Sequence, residues 1–508
     1  MASTLEKARA YLRASQSSKE ERRLVRKIDF FILTFCCLSY FTNYLDRSNL
    51  TNAYVSGMRE DLAFKGNQLT QINTIFTCGY IIGQIPSNLA LHYIAPRLFF
   101  PSMMLAWGGL TMLTAAAQQP QHIMAIRFFQ GIAESSTFVG THYILGSWFT
   151  ERELGKRSGI FTASGLAGTM FGGFIQSGIQ ASLHRKAGLN GWRWLFIIDG
   201  LITLPIAIYG LLLFPDTPSK TRAPYLSATE RRLAAARVPD PHSATSPFTW
   251  RFVRRAATSF AFWGFVVLWA IAGEVESFNS NGLLALYLQS HPTKHYTVAQ
   301  LNDYPTGVAA VGIVSTLLWA ALTDLLGGRS RALVGYWCAG VCAVAAAMVL
   351  GAFKSTGAVM AAYYLSGSAY AAQAVMFAWA NDVLRGENEA FRALVVAAMN
   401  TASNVVNAWW SIVFYSADMA PRFTRGMYAM IGTAIALAIW TALLSVWAIR
   451  HERVRGRGGD ADALASGDSL DGRAGGAGQG DEDGDNGLSQ QVEIEENEGR
   501  ERVLAEKV

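Results

Sequence analysis

Long apolar runs alternate with short polar joints along most of this chain, and this alternation constrains the fold more than any other feature. Each run holds roughly 20 residues or more, which as a helix matches the ~30 Å hydrocarbon core of a bilayer. Because backbone in contact with lipid must satisfy its own hydrogen bonds, the pattern predicts an all-α membrane protein. The twelve candidate spans, numbered in chain order, are 29–55, 69–93, 99–118, 122–146, 157–181, 193–214, 258–289, 306–326, 331–352, 357–381, 391–415 and 426–448.

Composition and missing motifs exclude several classes of protein. Charged residues make up 16% of the chain, against about 25% in soluble domains. No G-x-x-x-x-G-K-[ST] loop is present, which argues against an ATP-driven pump. The five cysteines lie in apolar runs, and no nucleophile or metal-ligand pattern rises above chance. We therefore expect no enzyme activity, no cofactor and no metal, and cations placed beside spans favour a membrane surface over nucleic acid.

The distribution of charge predicts the orientation and the domains. Eight Lys and Arg residues precede span 1, and eight more lie between spans 6 and 7. Since cytoplasmic loops are enriched in Lys and Arg, both termini and the central loop are expected in the cytoplasm. Residues 460–508 hold 14 acidic and 4 basic residues and many glycines, which predicts disorder. The predicted domains are 1–27, an N-terminal segment; 28–215, a six-helix half; 216–256, a central loop; 257–449, a second six-helix half; and 450–508, a disordered acidic tail.

The two halves share landmarks at nearly constant spacing. The offsets are 232, 236, 235 and 235 residues, for the pairs Arg97 and Arg329, Gly131 and Gly367, Arg157 and Arg392, and Gly191 and Gly426. This spacing indicates a duplicated six-helix unit, although Gly and Arg are common enough for coincidence to remain an alternative. Secondary transporters use two such repeats to build a site near the bilayer midplane.

Span 1 carries a charged pair where lipid would tolerate none. Asp46 and Arg47 are the only charged residues between Phe30 and Met58. On a helix, Thr42, Asn43, Asp46, Arg47 and Asn49 fall within an arc of about 160°. We therefore expect this face to form the wall of a cavity, with Asp46 as either a structural partner of Arg47 or a proton site.

Ionisable and amide residues in spans 4 and 7 are further candidates. Arg127 and Glu134 are seven residues apart and share a helix face, which makes Glu134 a candidate proton carrier or half of a structural ion pair. Span 7 contains GEVESFNSNG, in which Asn281 precedes a glycine. A break there would offer backbone groups to a ligand, whereas Glu274 and Glu276 could simply line a wet vestibule.

The loop after span 8, WAALTDLLGGRSRAL, resembles the G-x-x-x-D-R-x-G-R-R loop of the major facilitator superfamily. Asp324 and Arg329 are its candidate gating residues, because an Asp at a helix end can accept from an arginine and release it as the halves rock. An ordinary cytoplasmic cap is the alternative. The first-half counterpart, NLALHYIAPRLF, lacks the Asp.

Several first-half stretches together carry a closer resemblance. They are YLDRSNLTNAYVSGM, GYIIGQIPSNL, RFFQGIAESSTFVGTHYILGSWF, ERELGKRSGIF and GWRWLFIIDGLITLPIA. Over about residues 25–450 the chain resembles fungal permeases of the anion:cation symporter (allantoate permease) branch of the major facilitator superfamily. The segments NAYVSGM and YTVAQLNDYPTG are most similar to the pantothenate-type subgroup. The resemblance implies a twelve-helix bundle of two pseudo-symmetric halves.

The resemblance also implies a function, namely proton-coupled uptake of a small organic carboxylate across the plasma membrane by a protein expected to be monomeric. Arg47 would attract the carboxylate through its planar guanidinium, and Glu134 or Asp46 would carry the proton. Further expected binding residues are Asn43, Asn49, Asn73, Tyr80, His142 and Asn281. Two alternatives stay open: a carrier or exporter of a secondary metabolite, and a nutrient sensor of the same fold.

Overall fold

The computed structural model describes residues 19–238, 250–280, 282–326, 328–384, 387 and 389–471. Throughout these residues the regular structure is helical, with no strand. The helices follow the twelve predicted spans in order, which confirms the all-α fold. The chain separates into two units, with the boundary between Ala448 and Ile449.

In the first half, span 1 is built from four consecutive pieces: Asp29–Leu33, Thr34–Ala53, Tyr54–Met58 and Arg59–Asp61. The first and third of these are π-helical turns. The remaining spans are Gln68–Tyr93 (span 2), Pro96–Thr114 (span 3), Pro120–Glu134 with Thr137–Trp148 (span 4), Glu151–Ser182 (span 5) and Gly191–Leu213 (span 6).

In the second half, spans 7 and 10 are also interrupted. The spans are Phe260–Ser280 with Leu283–Gln289 (span 7), Val298–Leu326 (span 8), Ala332–Gly351 (span 9), Thr356–Ser366 with Gly367–Tyr370 and Ala371–Val383 (span 10), Glu389–Phe414 (span 11) and Thr424–Asp471 (span 12). Outside the spans lie the helices Lys19–Ile28, Ala228–Arg237 and Trp250–Thr258.

Six helical segments among the described residues are long and apolar enough to cross a membrane by length and composition. They are Lys156–Ser182, Gly191–Leu213, Phe260–Gln289, Val298–Leu326, Ala332–Gly351 and Thr424–His451. Several of the other spans are interrupted or rich in polar residues. In span 1 the polar residues are buried in the bundle, and Asn43 and Asp46 are each 1% exposed. A low mean hydropathy of span 1 is therefore compatible with an apolar face toward the lipid.

The largest differences from the predicted boundaries are at the start of span 8 and the end of span 12. Span 8 begins at Val298 rather than at 306, because Thr297 and Gln300 cap each other's backbone N–H groups (3.0 and 3.3 Å) and the helix continues through Pro305. Membrane helices tolerate such a proline. The helix of span 12 ends at Asp471 rather than at residue 448. Residues 472–508 lie outside the described residues, so disorder stays a prediction there.

Equivalent glycines allow equivalent spans to touch in the two halves. A Cβ atom on Gly131 in span 4 would lie 2.2 Å from the carbonyl oxygen of Phe76 in span 2. A Cβ atom on Gly367 in span 10 would lie 2.4 Å from the carbonyl oxygen of Val308 in span 8. Small residues permit this close backbone approach in membrane bundles. The predicted repeat is therefore visible as a repeated contact.

Replacing one of these glycines should destabilise the bundle. We expect Gly131→Ala to lower the free energy of unfolding by about 1–3 kcal/mol, because the methyl group overlaps the backbone of span 2. The matched control is Gly146→Ala in the same span, where an added Cβ meets nothing within 4 Å. Thermal unfolding in detergent measures both, and equal melting temperatures would contradict the close contact.

Candidate functional site

A cavity of about 300 Å³ lies between the two halves of the bundle. Its walls come from spans 1, 2, 4 and 5 of the first half and spans 7, 8, 10 and 11 of the second. This volume is at the small end of ligand-binding pockets. The site is therefore shared by both repeats, as the duplicated architecture predicted.

Four of the seven residues predicted to bind a ligand line this cavity, namely Asn43, Arg47, Asn73 and Tyr80. Asn281 lies outside the described residues. The remaining two, Asn49 and His142, are absent from the cavity wall. The Nδ1 atom of His142 lies 2.9 Å from the carbonyl oxygen of Phe138, one turn earlier in the same helix.

Asn49 instead faces span 6, because the polar arc of span 1 is wide enough to meet both the cavity and a neighbouring helix. It is fully buried, and its Nδ2 donates to Oδ2 of Asp199 at 2.7 Å. Asp199 was not among the predicted site residues. Its sequence context, WLFIIDGLIT, is an isolated acid in an apolar run, a signal that sequence reasoning could have used.

The centre of the site is an ion pair between spans 1 and 4. The Nε of Arg47 lies 3.2 Å from Oε2 of Glu134. Glu134 is fully buried, whereas about a third of the Arg47 side chain is exposed. Asn43 donates to the same carboxylate oxygen at 2.7 Å, and Gln130 donates to the other at 3.1 Å. Both expected charges are thus present, but they bind each other.

Aromatic rings surround the cation. The guanidinium carbon of Arg47 lies 5.5, 5.0 and 5.1 Å from the ring centroids of Tyr44, Phe76 and Tyr80. Such distances are within the range of cation–π attraction. Phe76 and Tyr80 belong to span 2, and the contact of Gly131 with their backbone brings these rings against Arg47. The glycine contact therefore helps to form the aromatic cage of Tyr44, Phe76 and Tyr80 around Arg47.

Asp46 faces away from the cavity and is tied to the first half. Its carboxylate accepts a hydrogen bond from Thr111 of span 3, and its carbonyl oxygen accepts from Nη2 of Arg127 at 3.0 Å. Arg127 was expected to share a face with Glu134, and its guanidinium donates to span 1. The cluster of ionisable groups in this half thus contains three carboxylates, Asp46, Glu134 and Asp199, against the two arginines.

The second half contributes a different set of polar groups. Glu276 lines the cavity, whereas Glu274 does not and accepts from its neighbour Ser277. Span 7 is interrupted as predicted, since Gly282 has φ +64°. Asn279 also lines the cavity, but its amide is engaged by Ser366 of span 10 at 2.9 and 2.7 Å. Sequence reasoning did not single out Gln373 and Asn407, which also line it.

The predicted gating residues lie elsewhere, at the end of span 8. Asp324 is 3.4 Å from Nη2 of Arg331, and Arg331 is 3.0 Å from Asp382 of span 10. The structure does not describe the side chain of Arg329, the predicted partner. In the first half, Arg97 pairs with Asp216 at 3.4 Å, so the aspartate missing from that loop is supplied after span 6.

Contacts between the halves cluster at the opposite end of the bundle, which is predicted to be extracellular. Ser177 of span 5 donates to Asp303 of span 8 at 2.5 Å. Asn302 donates to Ser56 of span 1 at 2.9 Å. The described residues contain no group of His, Cys, Asp and Glu that could hold a metal ion.

The position of Asn49 leads to a test of this geometry. Asn49→Ala should lower the free energy of unfolding by about 1–3 kcal/mol, because it leaves the buried Asp199 without this donor. Asn73→Ala is the matched control, since Asn73 faces the cavity. Melting temperatures in detergent compare the two. A larger loss for Asn73→Ala would contradict the assignment of Asn49 to a structural role.

Comparison with known proteins agrees with the fold. The sequence profile of the Major Facilitator Superfamily matches residues 36–411. The chain is 43% identical to the pantothenate transporter liz1 of Schizosaccharomyces pombe over 86% of this chain and 84% of the relative. It is 44% identical to the pantothenate transporter FEN2 of Saccharomyces cerevisiae, over 85% and 86%. The fold is similar to the crystal structure of a bacterial homolog of the human lysosomal transporter Spinster in its inward-facing and occupied conformation, with a TM-score of 0.55. The two chains are 13% identical, and the match covers 83% of this chain and 96% of that chain. The chain belongs to the Major Facilitator Superfamily.

Proposed function

We propose that this protein is a secondary active transporter that takes up pantothenate, or a closely similar carboxylate, together with protons. The observation that carries the proposal is Arg47, a partly exposed cation in a cavity shared by both halves. Two relatives that are named pantothenate transporters align over more than four fifths of the chain at 43% and 44% identity. The proposed location is the plasma membrane, with both termini in the cytoplasm and the protein acting as a monomer.

Arg47 is the proposed binding group for the substrate carboxylate. Guanidinium groups bind carboxylates through two parallel hydrogen bonds, and they stay charged at any physiological pH. The aromatic cage of Tyr44, Phe76 and Tyr80 holds the guanidinium at the cavity wall. A carboxylate that enters the cavity therefore meets a positioned cation.

Glu134 couples this binding to a proton. While it is ionised, Glu134 competes with the substrate for Arg47, since both are carboxylates. A proton on Glu134 removes that competition. It also neutralises the one negative charge by which the three carboxylates of the buried cluster exceed its two arginines. Uncompensated charge is costly in such a cluster. Substrate and proton thus bind together. Asp46 is the less suitable carrier, because Thr111 already binds its carboxylate away from the cavity.

Alternating access is the proposed mechanism, and the contacts between the halves at one end of the bundle support it. The halves touch through Ser177 and Asp303 at one end of the bundle. Asp324, Arg331 and Asp382 tie spans 8 and 10 together at the predicted cytoplasmic end. Rocking of the halves would break contacts at one end and form them at the other, which moves the opening of the site across the membrane.

Uptake of labelled pantothenate tests the proposal directly. Cells that lack their own carrier and express the full chain should accumulate the label faster at acidic than at neutral pH, because protonation of Glu134 frees Arg47. A proton uncoupler should abolish accumulation. Absence of uptake, or net release from preloaded cells with no uptake, would contradict the proposal and favour an exporter of another metabolite.

Variants of the central pair separate binding from coupling. Arg47→Ala should weaken uptake about 10- to 100-fold, the cost of losing a charged hydrogen-bond partner. Arg97→Ala is the matched control, since Arg97 lies outside the cavity and pairs with Asp216. Glu134→Gln should retain exchange of labelled for unlabelled substrate but lose the pH dependence. Normal uptake by Arg47→Ala, with surface expression verified, would overturn the anion site.

A further inference from the structure

Span 7 places a second ionisable group in the cavity, on the wall that faces the first half. Glu276 lines the same cavity as Arg47, but it belongs to the second half. Tyr44 of span 1 and Tyr370 of span 10 line the same cavity. The occupant of the cavity therefore meets a cation on one wall and a carboxylate on the other.

The carboxylate of Glu276 offers a hydrogen-bond acceptor that no described residue engages. Its Oε2 atom is buried without a hydrogen-bond partner, and the described residues provide it with no ion pair. Glu274, two positions earlier, differs because it is buried to 2% exposure, lies off the cavity wall and accepts from Ser277. The nearby amide of Asn279 is engaged by Ser366.

A carboxylate in this position acts on a bound anion in two ways. While ionised, it repels the carboxylate of the substrate, which leaves Arg47 as the favoured position for that group. It also attracts hydrogen-bond donors, because an acceptor without a partner in a membrane-embedded cavity is costly and a donor relieves that cost. The cavity therefore favours an elongated acid that carries donors at the end remote from its carboxylate.

We propose that Glu276 accepts hydrogen bonds from hydroxyl groups at the far end of the transported anion, and that it thereby selects hydroxylated acids over their alkyl counterparts. This inference rests on the proposed uptake of a carboxylate at Arg47. Pantothenate satisfies both requirements, since its carboxylate is at one end and its two hydroxyl groups are at the other.

The test compares two competitors of labelled-pantothenate uptake in cells that express the full chain. One is unlabelled pantothenate, and the other is N-(3,3-dimethylbutanoyl)-β-alanine, which keeps the carboxylate and the amide but has no hydroxyl group. For the wild type, the hydroxyl-free compound should inhibit about tenfold more weakly. In Glu276→Leu the two inhibition constants should converge, because only pantothenate loses a partner.

Glu276→Gln provides a second variant if Glu276→Leu does not transport. It keeps an uncharged acceptor oxygen and should give an intermediate ratio of inhibition constants. Glu274→Gln is the matched control and should keep the wild-type ratio. An unchanged ratio in a functioning Glu276→Leu or Glu276→Gln protein would overturn the inference while leaving the proposed function intact. A wild type that neither takes up pantothenate nor is thermally stabilised by either compound would overturn both.

Discussion

The ion pair between Arg47 and Glu134 exists because a bilayer offers no water to buried charges. In the hydrocarbon region each charged side chain needs a partner within the bundle, and the cost of leaving one unpaired is several kcal/mol. The first half meets this requirement with amide, hydroxyl and guanidinium donors drawn from spans 1, 3 and 4. The partly exposed Arg47 is therefore held in place by its partners, and a carboxylate that binds it must displace Glu134.

Backbone packing and the charged site depend on each other. Gly131 lets span 2 approach span 4, and that approach places Phe76 and Tyr80 beside the guanidinium of Arg47. The same contact recurs at Gly367 in the second half, where the wall carries Glu276 in place of an arginine. The two repeats thus share a packing scheme but present opposite charges to the cavity. This asymmetry gives a pseudo-symmetric bundle a polar axis along which an anion can be oriented.

The fold could be predicted from the sequence because apolar length and the glycine and arginine repeats are local signals. The site was predicted only in part. Arg47 and Asn43 were expected at the cavity and lie there, since a polar face on a lipid-embedded helix must turn inward. Asn49 contacts Asp199 of span 6 instead, because helix periodicity gives a direction around one axis and cannot tell a cavity from a neighbouring span. Two features depend on how the helices rotate against each other, which the sequence of one helix does not encode. They are the pairing of Arg47 with Glu134, and the position of Glu276 rather than Glu274 at the cavity wall.

The central claim is that Glu134 gives up its ion pair with Arg47 and takes up a proton when the substrate binds. Proton uptake on binding measures this most directly, using purified full-length protein in weakly buffered detergent solution with a pH-sensitive dye. The account predicts that addition of pantothenate removes protons from solution in the wild type, because Glu134 takes up a proton as Arg47 turns to the substrate. The same addition to Glu134→Gln should bind substrate with no proton uptake. Equal proton uptake by the two proteins, or none by the wild type despite binding, would contradict it.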